Sequence, residues 1–502
     1  MRMRRLAAAV GCATLGVGCS GVLGLGDFEN VCADGRVVGD HAECTPTTGG
    51  GGPGGGGSGP GGGGSGGCAG ATCKQGDAVW AQRFGDALQQ EGNAIAADAS
   101  GNVFVAGTFQ GAVQLGGPTF TSAGGDDVLL AKLDGNGNHV ASKRFGDSNG
   151  QRATAVAVDA SGNVGIAGSF SGTIALGGPV LQTAGALDVF VAKLGPNLSH
   201  VWSQSFGGPS NQHVGGMAFA GSDLVVAGSF EQSIDFGSGA QASAGGLDVF
   251  VARLDSDGGI VWAKTFGGSG NEAANAVAVD SAGRTIVTGT FDGTVNFGDG
   301  ALVSQGANDV FLVVLDTTGG TVWSLGYGDA DEQSSAAVAV DSAGNIVVAG
   351  TFAGAMNFGL GTIQSHGATD AFVAKLDSAG GEVWRRQGGD AAAQTATGAA
   401  VGADGDVLVA GGFEGSIDFG GESVTSAGGE DVFLAKLDAS GAPVWIRSAG
   451  DTGIDQRAAA VAIDPAGNAL VTGHFDGTLT FGQLPTLSSA GQTDGFVVKL
   501  SP

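Results

Sequence analysis

Basic residues are scarce: 21 Lys and Arg stand against 48 Asp and Glu, a formal net charge of −27. That excludes the cationic footprint that a nucleic-acid partner requires. Cysteine is absent beyond Cys73, so nothing after it can be cross-linked by disulfides. Tyrosine occurs once, and helical periodicity at i, i+3, i+4 occurs nowhere, which argues against helical layers. No metal-ligand spacing appears. The six histidines, His41, His139, His200, His213, His366 and His474, are scattered. No Gly-x-Ser-x-Gly elbow stands in a strand-to-helix context, and no Gly-rich loop precedes a helix. No cofactor, metal or catalytic residue is therefore expected.

What is present is one stretch written seven times. Its opening Asp recurs as Asp127, Asp188, Asp248, Asp309, Asp370, Asp431 and Asp494, spaced by 61, 60, 61, 61, 61 and 63 residues. Such a period is the mark of a repeat architecture. Each unit holds four short runs rich in Val, Ile, Phe and Trp, separated by Gly, Asp, Asn and Ser. In one copy these are Ala276 to Asp280 (A), Thr285 to Phe291 (B), Asp248 to Asp255 (C) and Ile260 to Gly267 (D). Seven units of four strands predict an all-β, seven-bladed β-propeller over 78–502. A β-solenoid fits less well, since its coils are shorter than this period. The last blade lacks a D run, and a spare one lies early, Ala78 to Gly85 around Trp80. Its pairing with the last blade would close the ring and remove exposed edges.

The N-terminal extension divides by composition. Arg2, Arg4 and Arg5 precede a small-residue apolar run, Leu6 to Gly18, so 1–18 reads as a signal peptide too short to span a membrane. Leu15 to Cys19 resembles a bacterial lipobox, which predicts lipidation at Cys19 and a place at the outer membrane or cell surface; ordinary secretion is the alternative. The segment 19–48 carries Cys32 and Cys44. A Gly-rich flexible linker, 49–67, spans on the order of 24 Å. The C-x4-C segment 68–77 follows, with Cys68 and Cys73. These four are disulfide candidates with three possible connectivities, the local pairs being simplest.

Comparing the repeats with one another separates framework from candidate site. The tryptophans occupy one D-strand column, Trp80, Trp202, Trp262, Trp323, Trp384 and Trp445, with Ala141 in the seventh place; this predicts packing between blades rather than a sugar platform. Asp98, Asp159, Asp280, Asp341 and Asp464 end A strands and suit tight turns. The Asp134-Gly-Asn136-Gly-Asn138 run resembles part of a calcium loop but reads as a hairpin turn. A polar ring recurs as Gln90, Gln151, Gln212, Glu272, Gln333, Gln394 and Gln456, placed to satisfy backbone groups. The next column varies and includes Glu91, Arg152, His213 and Arg457, on four consecutive blades. The column before the ring adds Glu332 and Asp455. All six fall in predicted D-to-A loops at one mouth of the channel, and they are the ligand-binding candidates.

The phrases at 188–194, 201–208 and within 336–345 resemble the bacterial seven-bladed β-propeller repeat family. The resemblance covers Ala78 to Leu500. It implies a secreted or surface propeller and transfers no catalytic residue. Departures are Ala141 for Trp, a third A–B turn one residue short, and Gly402 for the turn Asp. The functional expectation is a surface-anchored or secreted binding scaffold for a protein, glycan or cell-wall ligand, monomeric, touching the membrane only through its lipid. The alternatives are a glycan hydrolase or lyase acting at the channel mouth, and a structural or adhesive surface module.

Overall fold

The computed structural model describes residues 74–502 except 454 and 455, and the backbone of three short strands before them. Those strands, Cys19–Leu23, Phe28–Cys32 and Val37–Val38, form one antiparallel sheet with Cys19 opposite Cys32. The signal peptide, the linker, Asp455, Cys44, Cys68 and Cys73 lie outside the described residues.

From residue 74 onward the chain makes seven four-stranded antiparallel sheets, each ordered A-B-C-D. The first is Gln90–Ala97, Val103–Phe109, Asp127–Leu133 and His139–Phe145. In blade 7, Gln456–Ile463, Ala469–Phe475 and Asp494–Leu500 take Ala78–Phe84 as their fourth strand. The register runs from Ala78 opposite Leu500 to Phe84 opposite Gly495. Arg83 also bonds the fully buried Asp494 carboxylate. The early strand thus closes the ring as its sequence predicts.

Strands B and C carry the core because both of their faces are covered. Val103–Phe109 and Asp127–Leu133 are buried at every position. Each apolar cluster joins two blades: Phe104 and Leu130 of blade 1 pack with Val156 and Phe190 of blade 2. Burial of one such side chain contributes about 1.5–3 kcal/mol, so no blade can bury its faces alone. The Phe that ends strand B meets the Phe of strand C edge-on, as with Phe170 and Phe190 at 6.3 Å.

The A strands begin four residues earlier than the apolar pattern predicts, Glu272–Val279 against Ala276 to Asp280. A β-bulge explains the difference. Register shifts between Ala274 and Ala276, and at the matching place in every blade. An extra residue there breaks the alternation by which a strand is read. Glu91, Arg152, His213 and Arg457 consequently lie on strands and not on loops.

The tryptophans staple blades together. Trp202 Nε1 donates to Ser256 O at 2.9 Å and Trp262 Nε1 to Thr317 O at 3.0 Å, each reaching the C–D turn of the next blade. A glycine with positive φ lies against each ring: an added Cβ at Gly258 would stand 2.8 Å from Trp202. Where the ring is missing the partner changes too. Opposite Ala141 the turn residue is Leu198, at φ 62° and 2% exposed, filling the place of the indole. At the seam, where the chain passes from blade 7 to its closing strand, the turn is rebuilt from two separate pieces. Gly76 N donates to Ser501 O at 3.2 Å, Ser501 N to Asp77 O at 2.8 Å, and Gly76 takes the glycine place against Trp445.

The face opposite the candidate site is fixed by ion pairs absent from the sequence reading. A basic residue near the end of strand C meets an acid of the A–B turn: Lys375 with Asp341 at 2.9 Å, Lys499 with Asp464 at 2.8 Å. Blade 4 has Val314 in the lysine column, and Arg284 on the turn supplies the cation to Asp280 at 2.6 Å. Blade 6 has Gly402 in the acid column, and Asp406 serves instead, 3.1 Å from Lys436. The short third turn uses Asp223 with Arg253 at 3.0 Å.

Exchange of Leu198 and Ala141 tests the stapling. Leu198→Gly should cost about 2 kcal/mol, the cavity outweighing the relief of backbone strain. Ala141→Trp alone should also destabilise, through overpacking. The double variant should recover most of the loss, with a coupling of ~1–3 kcal/mol in a denaturation cycle; additive effects would contradict the packing described.

Candidate functional site

The second residue of each A strand stands at one mouth of the channel. Arg152 pairs across the strands with Ser169, His213 with Ser229, Glu91 with Thr108 and Arg457 with His474. Blades 1 to 3 bring three of the candidates together. Arg152 Nε donates to Asp126 at 2.9 Å, and its guanidinium lies 3.6 Å from Glu91. The arginine side chain is 57% exposed, so these contacts orient it more than they stabilise the fold. Beside it opens a cleft of about 440 Å³, lined by Asp126, Gly150, Arg152, Thr154, Ser169, Leu187, His213 and Val214. His213 is exposed. Near it, Glu231 accepts from Ser210 and Asn211, and these bonds together with His213 hold its carboxyl below the usual range.

The other candidates lie elsewhere. Arg457 is 3.5 Å from Glu430. The glycine opposite Thr395 makes room for that acid: a Cβ at Gly412 would fall 2.0 Å from Glu430 Oε1. Glu332 is exposed beside strand A of blade 5 and joins no ion pair among the described residues. Asp126 and Glu430 were missed by the sequence reading. Their column, just before strand C, reads Asp126, Leu187, Leu247, Asn308, Thr369, Glu430 and Thr493. It is acidic only in the two blades that precede an arginine, a correlation visible in the sequence.

The ring of Gln90, Gln151, Gln212, Glu272, Gln333, Gln394 and Gln456 is fully buried. Gln151 shows its use. Oε1 accepts from Asp147 N at 3.0 Å, while Nε2 donates to Asp147 Oδ1 and to Ser171 O. Asp147 in turn accepts from Thr173 N and Oγ1, tying the D–A loop to the B–C hairpin. Asp86, Asp329, Asp390 and Asp451 repeat this brace. The ring is therefore a backbone clamp beneath the mouth.

The channel itself is narrow, about 190 Å³, and lined by all seven A strands. Three of its polar side chains sit at the bulges and bond the neighbouring blade. Asn93 Nδ2 donates to Ala153 O at 2.9 Å, Asn275 Nδ2 to Ser335 O at 2.8 Å and Thr397 Oγ1 to Ala458 O at 2.7 Å. No aromatic side chain lines the cleft at the mouth. Among the described residues, no group of three or more His, Cys, Asp or Glu could hold a metal ion, and no helix is long and apolar enough to cross a membrane.

The brace has a pH signature. Burial pushes the Asp147 carboxyl up, but bonds from Thr173, Asn149 and Gln151 outweigh it and hold the value at about 2. The folded value lies below the unfolded one, so this stabilisation is present above pH ~4 and is lost as pH falls through about 2. Asp147→Asn should lower stability by about 1 kcal/mol at pH 7, after discounting for solvent screening. The deficit should vanish in melts near pH 2.

No family model matches the chain, and no curated protein matches it. Among solved structures it is similar to the WD40 domain of Neurospora crassa Pan2, at 12% identity over 82% of this chain and 89% of that one, with a TM-score of 0.43. The WD40 propeller domain of Doa1 is 10% identical over 85% and 96%, with a TM-score of 0.44. An ulvan lyase of a polysaccharide lyase family is 12% identical over 82% and 96%, with a TM-score of 0.39. Likenesses this distant concern the fold alone. The seven-bladed assignment itself rests on the strand pairing.

Proposed function

We propose that the propeller is an interaction scaffold that binds a protein partner at the cleft between blades 1 and 3, outside the cytoplasm. The supporting observation is the joint placement of Asp126, Arg152, Thr154 and His213 around one cleft whose wall also includes the apolar Leu187 and Val214, on a rigid ring. Charged and hydroxyl groups of this kind suit hydrogen bonding to an extended peptide segment. A glycan is less well served, because the described tryptophans face between blades and Tyr327 is buried. The overall acidity favours a partner with a basic segment, through steering of the encounter.

A catalytic reading has less support. Of the carboxylates beside the cleft, Glu91 and Asp126 are engaged by Arg152, and Glu231 accepts from Ser210 and Asn211. The carboxyls that burial pushes up at the blade tops, such as Asp188 and Asp309, are 2% exposed and inaccessible to a substrate.

The binding reading is tested by capture from a cell-envelope extract with the full chain as bait. Changing Asp126, Arg152 and His213 together to Ala should weaken binding of the captured protein at least tenfold and leave the melting temperature within a few degrees. Undiminished capture would move the site elsewhere, and no capture would leave a structural module. The anchor is a separate matter: we propose an acylated Cys19, and mass spectrometry of the mature N-terminus should find a diacyl or triacyl cysteine there.

A further inference from the structure

One blade departs from the clamp ring. Six blades place a Gln there, and each donates its amide to a backbone carbonyl: Gln90 to Gln110 O, Gln151 to Ser171 O, Gln212 to Ser233 O, Gln333 to Ala353 O, Gln394 to Glu414 O and Gln456 to Asp476 O. Blade 4 has Glu272, which has no amide to donate. One of its oxygens still plays the part of the Gln oxygen: Gly268 N donates to Oε2 at 2.9 Å, as Gly208 N donates to Gln212 at 3.2 Å. That leaves Oε1 in the amide position. It is buried and has no hydrogen-bond partner.

Another acceptor, the Thr294 carbonyl oxygen, lies near Oε1. Thr294 stands where Ser233 stands in blade 3, three residues after the Phe that ends strand B. A Cβ at Gly268 would lie 1.9 Å from Thr294 O and 3.3 Å from Glu272 Oε1, so both oxygens border the space beside that glycine. In blade 3, the matching Cβ at Gly208 would lie 2.0 Å from Ser233 O, which the Gln212 amide reaches at 3.2 Å. Two acceptors cannot satisfy each other without a proton between them. The charged groups acting on Glu272 are Asp248, which opens strand C of blade 3, and Asp292, which follows strand B of blade 4; both are acids, and no cation acts on it.

We propose that Glu272 works as a neutral carboxylic acid, an isostere of the six glutamines, whose proton bonds the Thr294 carbonyl and makes the joint between blades 3 and 4 the pH-sensitive seam of the ring. Burial, with the two acids adding to it, pushes the group up to about 7. The folded value lies above the unfolded one. The contribution is therefore fully present below pH ~4.5 and is lost as pH rises through about 7. Ionised Glu272 would leave two acceptors and a buried charge in contact, which a fold tolerates poorly. Opening would start at this joint, since the other six clamps carry no titrating group in the ring position.

Glu272→Gln tests this, being nearly isosteric and already present in the other six blades. In denaturant melts, the unfolding equilibrium constant of the parent chain should rise relative to that of the Gln variant by on the order of a hundredfold between pH 5 and pH 8. The two should be nearly equal at pH 5. The parent-minus-variant infrared difference spectrum at pH 5 should show the carbonyl band of one protonated carboxyl. Parallel pH profiles, or a difference spectrum without that band, would overturn the proposal. So would a parent whose stability at pH 8 is raised by calcium and lowered by a chelator while the variant responds to neither, because Oε1 would then hold a cation and not a proton.

Discussion

The ring exists because a strand at one end of the propeller completes the sheet at the other. Every blade uses its neighbour to cover a face, and each apolar cluster straddles two blades. A gap between blade 7 and blade 1 would leave two such clusters half-covered and a strand edge open. Ala78–Phe84 prevents this with six paired positions along Asp494–Leu500. Its Trp80 and Phe84 also enter the core of blade 1, beside Val105 and Leu129. The seam keeps a glycine against a tryptophan, with two chain segments in place of one turn. The Trp445 indole N–H, however, is buried there without the carbonyl partner that the other tryptophans find.

Seven near-copies leave room for exchange, and the departures from the repeat come in matched pairs. Ala141 goes with Leu198, so the volume lost from one blade is supplied by the next. Val314 goes with Arg284, and Gly402 with Asp406, so the charge pair survives while its members change position. Gly412 goes with Glu430 and Arg457, which turns a plain strand position into an ion pair at the mouth. The first three cases conserve a physical quantity (volume or charge) and not a residue, while the last adds a pair. Glu272 is the exception in which the hydrogen-bond count is kept only by a proton.

The framework was legible because its signals repeat. The period, the Phe and Trp columns and the missing D run of the last unit specify blade number and closure without reference to any other protein. Strand starts were not legible, because the bulge at Asn93 and its counterparts shifts the alternation by one residue. That single irregularity moved Arg152 and His213 from predicted loops onto strands. The mouth residues were found by their variability, since a column free to vary is one the fold does not need. Their partners Asp126 and Glu430 were hidden by distance along the chain, each lying 26 or 27 residues before its arginine. The lysine ring was overlooked for the opposite reason: it is so regular that it merged with the strand motif.

The closing strand also imposes an order in time. Ala78–Phe84 leaves the ribosome early and meets its partner only when Asp494–Leu500 has followed it, more than four hundred residues later. Until then its polar edge has nothing to bond, while the blades made in between can stack one upon the next through local contacts. Assembly is therefore expected to end where the chain begins. A nascent chain is an open arc with two adhesive ends, and a second arc could join it as readily as its own tail.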